Sequence, residues 1–355
     1  MKHLELFAGI GGFRRATDLL ASDGIMNFES IGFSEIDPKA ITTYKSNFDT
    51  SNDIEIGDIV SFTENKNNIV SLPDFNFLSG GFPCQTFSMM GKQAGFAEER
   101  GQMFFRIIDI LKIKRPKYVL LENVKNLRTH DKGRTIEEIK RQLESLGYKV
   151  FFDVFNTSDF HLPQTRNRLL IFATTACLPK NFTFDSRSVV DCFDKAYKNL
   201  SVFNYTSTIS VLSKEVDLKY FLSDRIKPTL LADGSANFKS NSEINLAIAR
   251  PLTATMHKMH RACQDNYYSQ DFIESNGAIN PAKTHSKEDL AKLPIRKLTP
   301  EEAFLLQGFP SSFATKARAQ KVSDGALYKQ AGNAVSVNTI YAVLYYLIVN
   351  KVIKE

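Results

Sequence analysis

Residues 75–88 read FNFLSGGFPCQTFS. An apolar run stops at Gly80-Gly81, and a turn through Phe82, Pro83 and Cys84 follows. That pattern predicts a buried strand ending at the open edge of a sheet. In open parallel sheets ligands sit beyond the carboxyl ends of the strands, so Cys84 would face a cleft. Pro83 fixes its own φ and keeps Phe82 out of helical geometry, which holds the next residue in one place. A thiol so held can serve as a nucleophile once ionised, or it can be a small buried hydrophobe, as most free cysteines are. The local sequence leaves both open.

Towards the N-terminus, Leu4–Phe7 is apolar, Ala8-Gly9-Ile10-Gly11-Gly12 follows, and Phe13, Ala16 and Leu19 or Leu20 recur at helical spacing. This predicts strand, glycine-rich turn and helix. The turn does not fit GxGxxG. It is either a tight connection or a place where a ligand meets the backbone beside a helix N-terminus. Ile31–Ser34 is a second strand, running into Glu35-Ile36-Asp37-Pro38. An acid about twenty positions past a glycine turn is where α/β nucleotide sites hold ribose hydroxyls, although strand-end acids are also commonly just solvated. Gly57-Asp58-Ile59 is a further turn that presents a carboxylate.

Towards the C-terminus, residues 88–102 are rich in glycine and charge and read as a loop of the kind that forms lids. Met103, Phe104, Ile107, Ile108 and Leu111 make one helix face, ended by Pro116. Tyr118–Leu121 is a buried strand that delivers Glu122-Asn123-Val124 to the same edge as Cys84. Ile136, Ile139, Leu143 and Leu146 mark another helix, and Tyr148–Phe155 and Leu169–Ala173 two more strands. Between those strands, Arg166 and Arg168 would share one side of a strand, as an anion or base contact or as a solvated charged edge. The alternation up to about Thr174 predicts an α/β fold, a mostly parallel sheet with helices on both faces.

The texture then changes. Residues 175–324 have weak periodicity and read as a smaller, loop-rich domain. It carries a basic stretch, His257-Lys258-Met259-His260-Arg261, and a polar aromatic patch, Asn266-Tyr267-Tyr268. Basic groups interleaved with aromatics suit nucleic acid, though such a patch is often only surface. An apolar helix through Val349 closes the chain and needs a core to bury it.

Composition narrows the field. With 355 residues the chain can bury a full core. Lys+Arg is 45 against Asp+Glu 39, a formal charge of +6, a mild excess compatible with a polyanion. The four cysteines, Cys84, Cys177, Cys192 and Cys263, form no CxxC pair. They read as reduced thiols of a cytosolic protein, with no metal site. No signal peptide and no apolar run long enough to span a bilayer are apparent.

The motifs together resemble the DNA cytosine-5 methyltransferases over nearly the whole chain. They stand in that family's order: LFAGIGGFR at 6–14, SEID at 34–37, GDI at 57–59, GGFPCQTFS at 80–88, FAEERGQMFF at 96–105, ENV at 122–124, QTRNR at 164–168, RKLTPEEAFLLQGFP at 296–310 and YKQAGNAVSVN at 328–338. The pattern is absent across about 176–245.

The resemblance implies a Rossmann-like S-adenosylmethionine-binding domain from 1–175 plus 326–355, and a target-recognition domain from 176–325. It implies that Cys84 adds to C6 of a cytosine, that Glu122 handles the proton at N3, and that Arg168 with Arg166 contacts the base, supported by Gln164. Phe7, Ala8, Gly9, Ile10, Gly11 and Gly12 would wrap the methionine part of S-adenosylmethionine. Glu35 would take its ribose hydroxyls, Asp58 with Ile59 its adenine. Pro83 and Met103 would line the pocket, and Asn333 and Val335 close it. Ile36 stands where many relatives have a tryptophan against adenine, and this chain has no Trp. Duplex DNA would meet Gln85, Ser88, Arg250, His257, Lys258 and Arg261, with the target base swung out of the helix. The partners implied are duplex DNA and a separate cognate restriction endonuclease, with the chain a monomer. The nearest rival is a tRNA cytosine-5 methyltransferase of the same plan. A catalytically dead binding module leaves Cys84, Glu122 and Arg168 unexplained, and a nicotinamide dehydrogenase lacks its glycine spacing. An adenine or N4-cytosine methylase is disfavoured because no Asp/Asn/Ser-Pro-Pro-aromatic tetrapeptide occurs.

Overall fold

The computed structural model describes residues 1–83, 102–235, 238–258 and 262–354. Cys84, Gln85, Ser88 and Arg261, and the loop expected from residue 88 to 101, lie outside the described residues.

Among the described residues, one sheet has seven strands: β1 (Lys2–Leu6), β2 (Glu29–Phe33), β3 (Ile54–Glu55), β4 (Phe77–Gly81), β5 (Tyr118–Val124), β6 (Lys149–Asn156) and β7 (Asn167–Thr174). Their order is β3-β2-β1-β4-β5-β7-β6. β1 to β5 pair in parallel, and β7 runs antiparallel to β5 and β6. The chain leaves β1 towards β2 and β3, then resumes on the other side of β1 with β4 and β5. The topological switch therefore falls between β1 and β4, where loops diverge and leave a crevice. The glycine turn follows β1 and the Phe82-Pro83 turn follows β4, so both expected motifs sit at that point.

Helices cover both faces. The first are α1 (Gly12–Ser22), α2 (Pro38–Asn47), α3 (Ile59–Glu64) and α4 (Lys66–Ser71); α5 (Gln102–Lys114), α6 (Arg134–Ser145) and α7 (Ser186–Ala196) follow. Alternation along each strand sorts side chains by face. Leu4, Leu6, Leu78, Val119, Leu121, Leu169 and Ile171 bury against α3, α4, α5 and α6. On the other face Phe172 packs against Phe182 and Phe184. There Tyr341, on the C-terminal helix Val337–Val349, donates to Asp23 at the end of α1 at 2.6 Å. The final helix thus packs back beside the first βα unit. β1, β4 and β5 are buried along most of their length because both faces are covered.

The chain divides into two compact units. The first comprises Met1–Asn156, Asn167–Val202 and Thr339–Glu355; the second comprises Thr157–Arg166 and Phe203–Asn338. These bounds differ from the 175/176 and 325/326 divisions that the resemblance implies. The change in periodicity after Thr174 reflects lost alternation, yet α7 and its flanks still pack on the sheet.

In the second unit, Tyr267–Ser269 pairs antiparallel with Ile295–Lys297. Its core gathers Leu230, Leu231, Ile244, Tyr267, Leu290 and Ile295. The expectation of a surface aromatic patch at 266–268 is corrected here: Tyr267 and Tyr268 are buried, because this short strand lies inside the unit. The expectation that no apolar run could span a bilayer also needs amending. Asp324–Val349 is long and apolar enough by length and composition, but 78% of its apolar 18-residue window is buried in protein. It is broken into two helices, Asp324–Asn333 and Val337–Val349. The second has 13 residues, about 20 Å of helix, shorter than a bilayer core.

Candidate active site

The turn after β1 is built from left-handed backbone. Phe7, Gly9 and Gly11 have φ of +53°, +56° and +82°. The two glycines serve different needs. Above Gly9 a Cβ would meet nothing within 4 Å, so the backbone there faces open space that a ligand can enter. At Gly11 a Cβ would lie 2.3 Å from Cε2 of Phe48, so the turn is pressed onto that ring. Gly11→Ala is expected to cost about 3 kcal/mol of stability, combining left-handed strain and overpacking. The urea midpoint of the variant measures this.

Glu35, just past β2, reaches back to the turn. Its Oε2 accepts from the Gly9 amide at 2.8 Å, and its Oε1 accepts from the Ile36 and Asp37 amides, each at 2.8 Å. Three amides orient the carboxylate and leave lone pairs for further donors, such as the two hydroxyls of a diol. Ile36, beside the turn, is 70% exposed. It offers an apolar platform of the kind a purine face covers. Asp58 caps α3, accepting from the Val60 and Ser61 amides, and remains exposed. The side chains of Ala8, Ile10 and Ile59 are buried in the core, so those residues can offer a ligand only backbone. Met103 is half-buried on α5 and Pro83 is exposed after β4.

A second group lies at the carboxyl ends of β4, β5 and β7. Glu122 is in register with Gly81 on β4 and Leu170 on β7. Arg168, two residues before Leu170, is its diagonal neighbour on the same face, and Arg168 Nε lies 2.7 Å from Glu122 Oε1. Their side chains are 20% and 12% exposed, so the pair is shielded yet reachable. Asn123, which the sequence reading left without a role, is buried and donates from Nδ2 to the Phe82 carbonyl at 2.8 Å. Its Oδ1 accepts from the Val124 amide. This ties the end of β5 to the backbone two residues before Cys84. The available signal was a polar residue at the end of an apolar strand.

The expectation for Arg166 is corrected. It lies before β7 rather than in it, and it belongs to the second unit. It is buried, and its guanidinium donates to the carbonyls of Leu252, Gly332 and Ala334 at 2.8–3.0 Å. Arg168 instead pairs with Glu122 in the first unit, so the two arginines share no side of a strand. Gln164 donates to the Leu306 carbonyl and accepts from the Leu252 amide, both at 2.9 Å.

The remaining candidates lie in the second unit. Asn333 ends its helix exposed, and Val335 is half-buried. Arg250 turns inward to the Glu243 and Asn241 carbonyls. Burial, then Lys258 and Lys297, lowers the His257 pKa, so His257 is no cation at neutral pH. Lys258 is exposed.

A glycine turn at the switch point of an α/β sheet, with an acid–arginine pair at the neighbouring strand ends, is the arrangement of a ligand-binding enzyme scaffold. The C-5 cytosine-specific DNA methylase family pattern matches residues 1–348. The type II methyltransferase M1.ScrFI of Lactococcus lactis subsp. cremoris is 39% identical over 342 residues, 96% of this chain and 76% of that protein. M.DsaV of Dactylococcopsis salina, also named a type II methyltransferase, is 34% identical over 97% of this chain and 84% of its own length. An Entamoeba histolytica methyltransferase, EhMeth, shares the fold at a TM-score of 0.74, with 20% identity and 100% and 99% of the two chains covered. The chain belongs to the C-5 cytosine-specific DNA methylase family. It is a DNA (cytosine-5-)-methyltransferase, and its methyl donor is S-adenosylmethionine. The residues present fit that cofactor: the open backbone at Gly9, the oriented Glu35 carboxylate and the bare Ile36 side chain together offer the polar and apolar contacts it needs.

Proposed function

We propose that this chain methylates C5 of one cytosine in a short duplex sequence, through a flipped base and a transient bond to Cys84, as the modification partner of a type II restriction endonuclease. The observation that carries the reading is the shielded Glu122–Arg168 pair beside the end of β4, three residues of chain from Cys84.

Cytosine C5 is a weak nucleophile. Addition of the Cys84 thiolate to C6, with a proton passed to N3, turns the ring into an enamine with electron density at C5. Glu122 holds the proton at N3, and Arg168 orients Glu122 and donates to O2. When bound, S-adenosylmethionine supplies the electrophilic methyl group that C5 takes up. Loss of the C5 proton to a base then breaks the C6–S bond and frees Cys84. Glu35 orients the ribose, Ile36 covers the adenine, and Phe7 to Gly12 wrap the methionine part. Asp58 meets the adenine amino group.

Residues 1–175 with 326–355 form the catalytic domain in this reading, and 176–325 select the sequence. Lys258 meets phosphate, as do Gln85, Ser88 and Arg261 near the base. The enzyme acts as a cytoplasmic monomer. Type II methyltransferases at 39% and 34% identity favour duplex DNA over tRNA.

A duplex carrying 5-fluorocytosine at the target tests the mechanism, because fluorine cannot leave as a proton and the adduct persists. With S-adenosylmethionine present we expect a denaturation-resistant protein–DNA complex whose peptide map joins at position 84. Methyl transfer to ordinary DNA without any trapped complex would overturn the covalent route. Labelled methyl entering tRNA but not duplex DNA would overturn the substrate.

A further inference from the structure

Glu5 is a buried carboxyl that has no part in the proposed chemistry. It lies in β1, 1% exposed, on the face away from Leu4 and Leu6. Its Oε1 accepts from the Phe13 amide and its Oε2 from the Tyr44 hydroxyl, both at 3.2 Å. Phe13 lies in the first turn of α1, whose cap residue Gly11 has no side chain to hold its amide. A carboxyl from the neighbouring strand takes the place of the missing cap.

The surroundings make this a rigid seat. Tyr44 is stacked on Phe33 at 4.3 Å and leans on Phe48 at 4.8 Å, and Gly11 is pressed against the Tyr44 and Phe48 rings. Arg14 donates to Tyr44 Oη at 3.4 Å and to the Asp49 carbonyl at 2.6 Å, and pairs with Asp53. The glycine turn is therefore clamped twice, at Gly9 by Glu35 and at Phe13 by Glu5.

We infer that Glu5 is a positioning residue for S-adenosylmethionine, holding the exit of the Phe7–Gly12 turn and the Phe13 amide of α1 in the shape the cofactor meets. This rests on the methyltransferase reading. A turn already held in its binding shape spares the ligand the cost of ordering it. Charge supports the assignment. Burial pushes the Glu5 carboxyl up to about 8, against the lowering pull of Tyr44 and Arg14. At neutral pH it is protonated, so it does not cancel the positive end of α1, which stays available to a ligand carboxylate. The other charged or titratable groups around it are Arg14 on α1, Tyr44 on α2, Asp53 through Arg14, and His3. His3 lies two residues back on the same strand face, is bonded to Ser79 of β4 and is kept neutral by burial.

Calorimetric binding of S-adenosylhomocysteine to the full chain tests this, alongside kcat, KM and the ligand-free melting temperature. Glu5→Ala is expected to weaken binding and raise the cofactor KM about tenfold, with kcat and the DNA KM within about threefold; Tyr44→Phe is expected to weaken binding about threefold. Glu5→Gln keeps a neutral acceptor for the Phe13 amide and should bind within about threefold of wild type at pH 7. Above about pH 8 wild-type affinity should fall as Glu5 ionises, while that of Glu5→Gln stays level. If Glu5→Ala does not fold, Tyr44→Phe and the pH series decide. Wild-type affinity in folded Tyr44→Phe together with matching pH curves for wild type and Glu5→Gln overturns the inference. So does a fall in kcat with the cofactor KM unchanged. Wild-type protein that binds S-adenosylhomocysteine but methylates no DNA would sink the C5 reading and leave this one standing.

Discussion

Cys84→Ala is expected to lower methyl transfer by at least about 10⁴-fold, to the limit of a labelled-methyl assay, because nothing else in the chain is assigned to activate C5. An oriented arginine and acid cannot substitute for the thiolate: they stabilise charge on the ring, but charge has to be pushed into the ring first. Binding of S-adenosylhomocysteine and of duplex DNA should stay within about threefold, since the change removes one sulfur atom and no cofactor contact. Cys84→Ser should fall nearly as far, as a serine hydroxyl is hardly ionised at neutral pH. Residual activity within a hundredfold of wild type in either variant would sink the covalent route.

The second large effect is at Glu122. Glu122→Gln keeps the size of the side chain and an oxygen to accept from Arg168, but an amide cannot pass a proton to N3. We expect kcat to fall about 10³-fold, within the range for loss of a general acid, with the cofactor KM unchanged. The variant should also lose about 1–3 kcal/mol of stability, because Arg168, 20% exposed, keeps its charge without a carboxylate beside it. Single-turnover rates separate the chemical step from product release. A single-turnover rate within tenfold of wild type would show that the proton at N3 has another source.

The two effects differ in how they should respond to an altered substrate. A base already activated at C5 needs less help at N3, so Glu122→Gln should recover part of its rate on it while Cys84→Ala does not. That ordering follows from the roles: one group makes the bond, the other makes the bond easier to form.

Much of this protein was legible in one dimension. Leu4–Phe7, Ile31–Ser34, Phe75–Gly81 and Tyr118–Leu121 read as strands because apolar runs punctuated by glycine have few other uses in a chain of this length. Each lies in or across a strand of the sheet. The motifs at the strand ends were legible for the same reason, since a turn with special backbone needs particular residues. Glu35 and the glycine turn were singled out separately, and the fold joins them through the Gly9 amide.

What one dimension could not supply was partnership. Arg166 and Arg168 look alike two positions apart, but the first is locked by three carbonyls of the second unit and the second pairs with Glu122 across a strand. Tyr267 and Tyr268 sit in a polar, basic context and are nonetheless core, because burial follows from the strand they join at Arg296 and Lys297. Glu5 reads as one more acid in a short strand, and only the fold puts it under the start of α1 with Tyr44 on its other side. Residue type and local spacing determine which elements form and which chemistries are on offer. Which side chains meet, and which are spent holding the chain together, depends on contacts between positions tens to hundreds of residues apart, and those exist only once the sheet has closed.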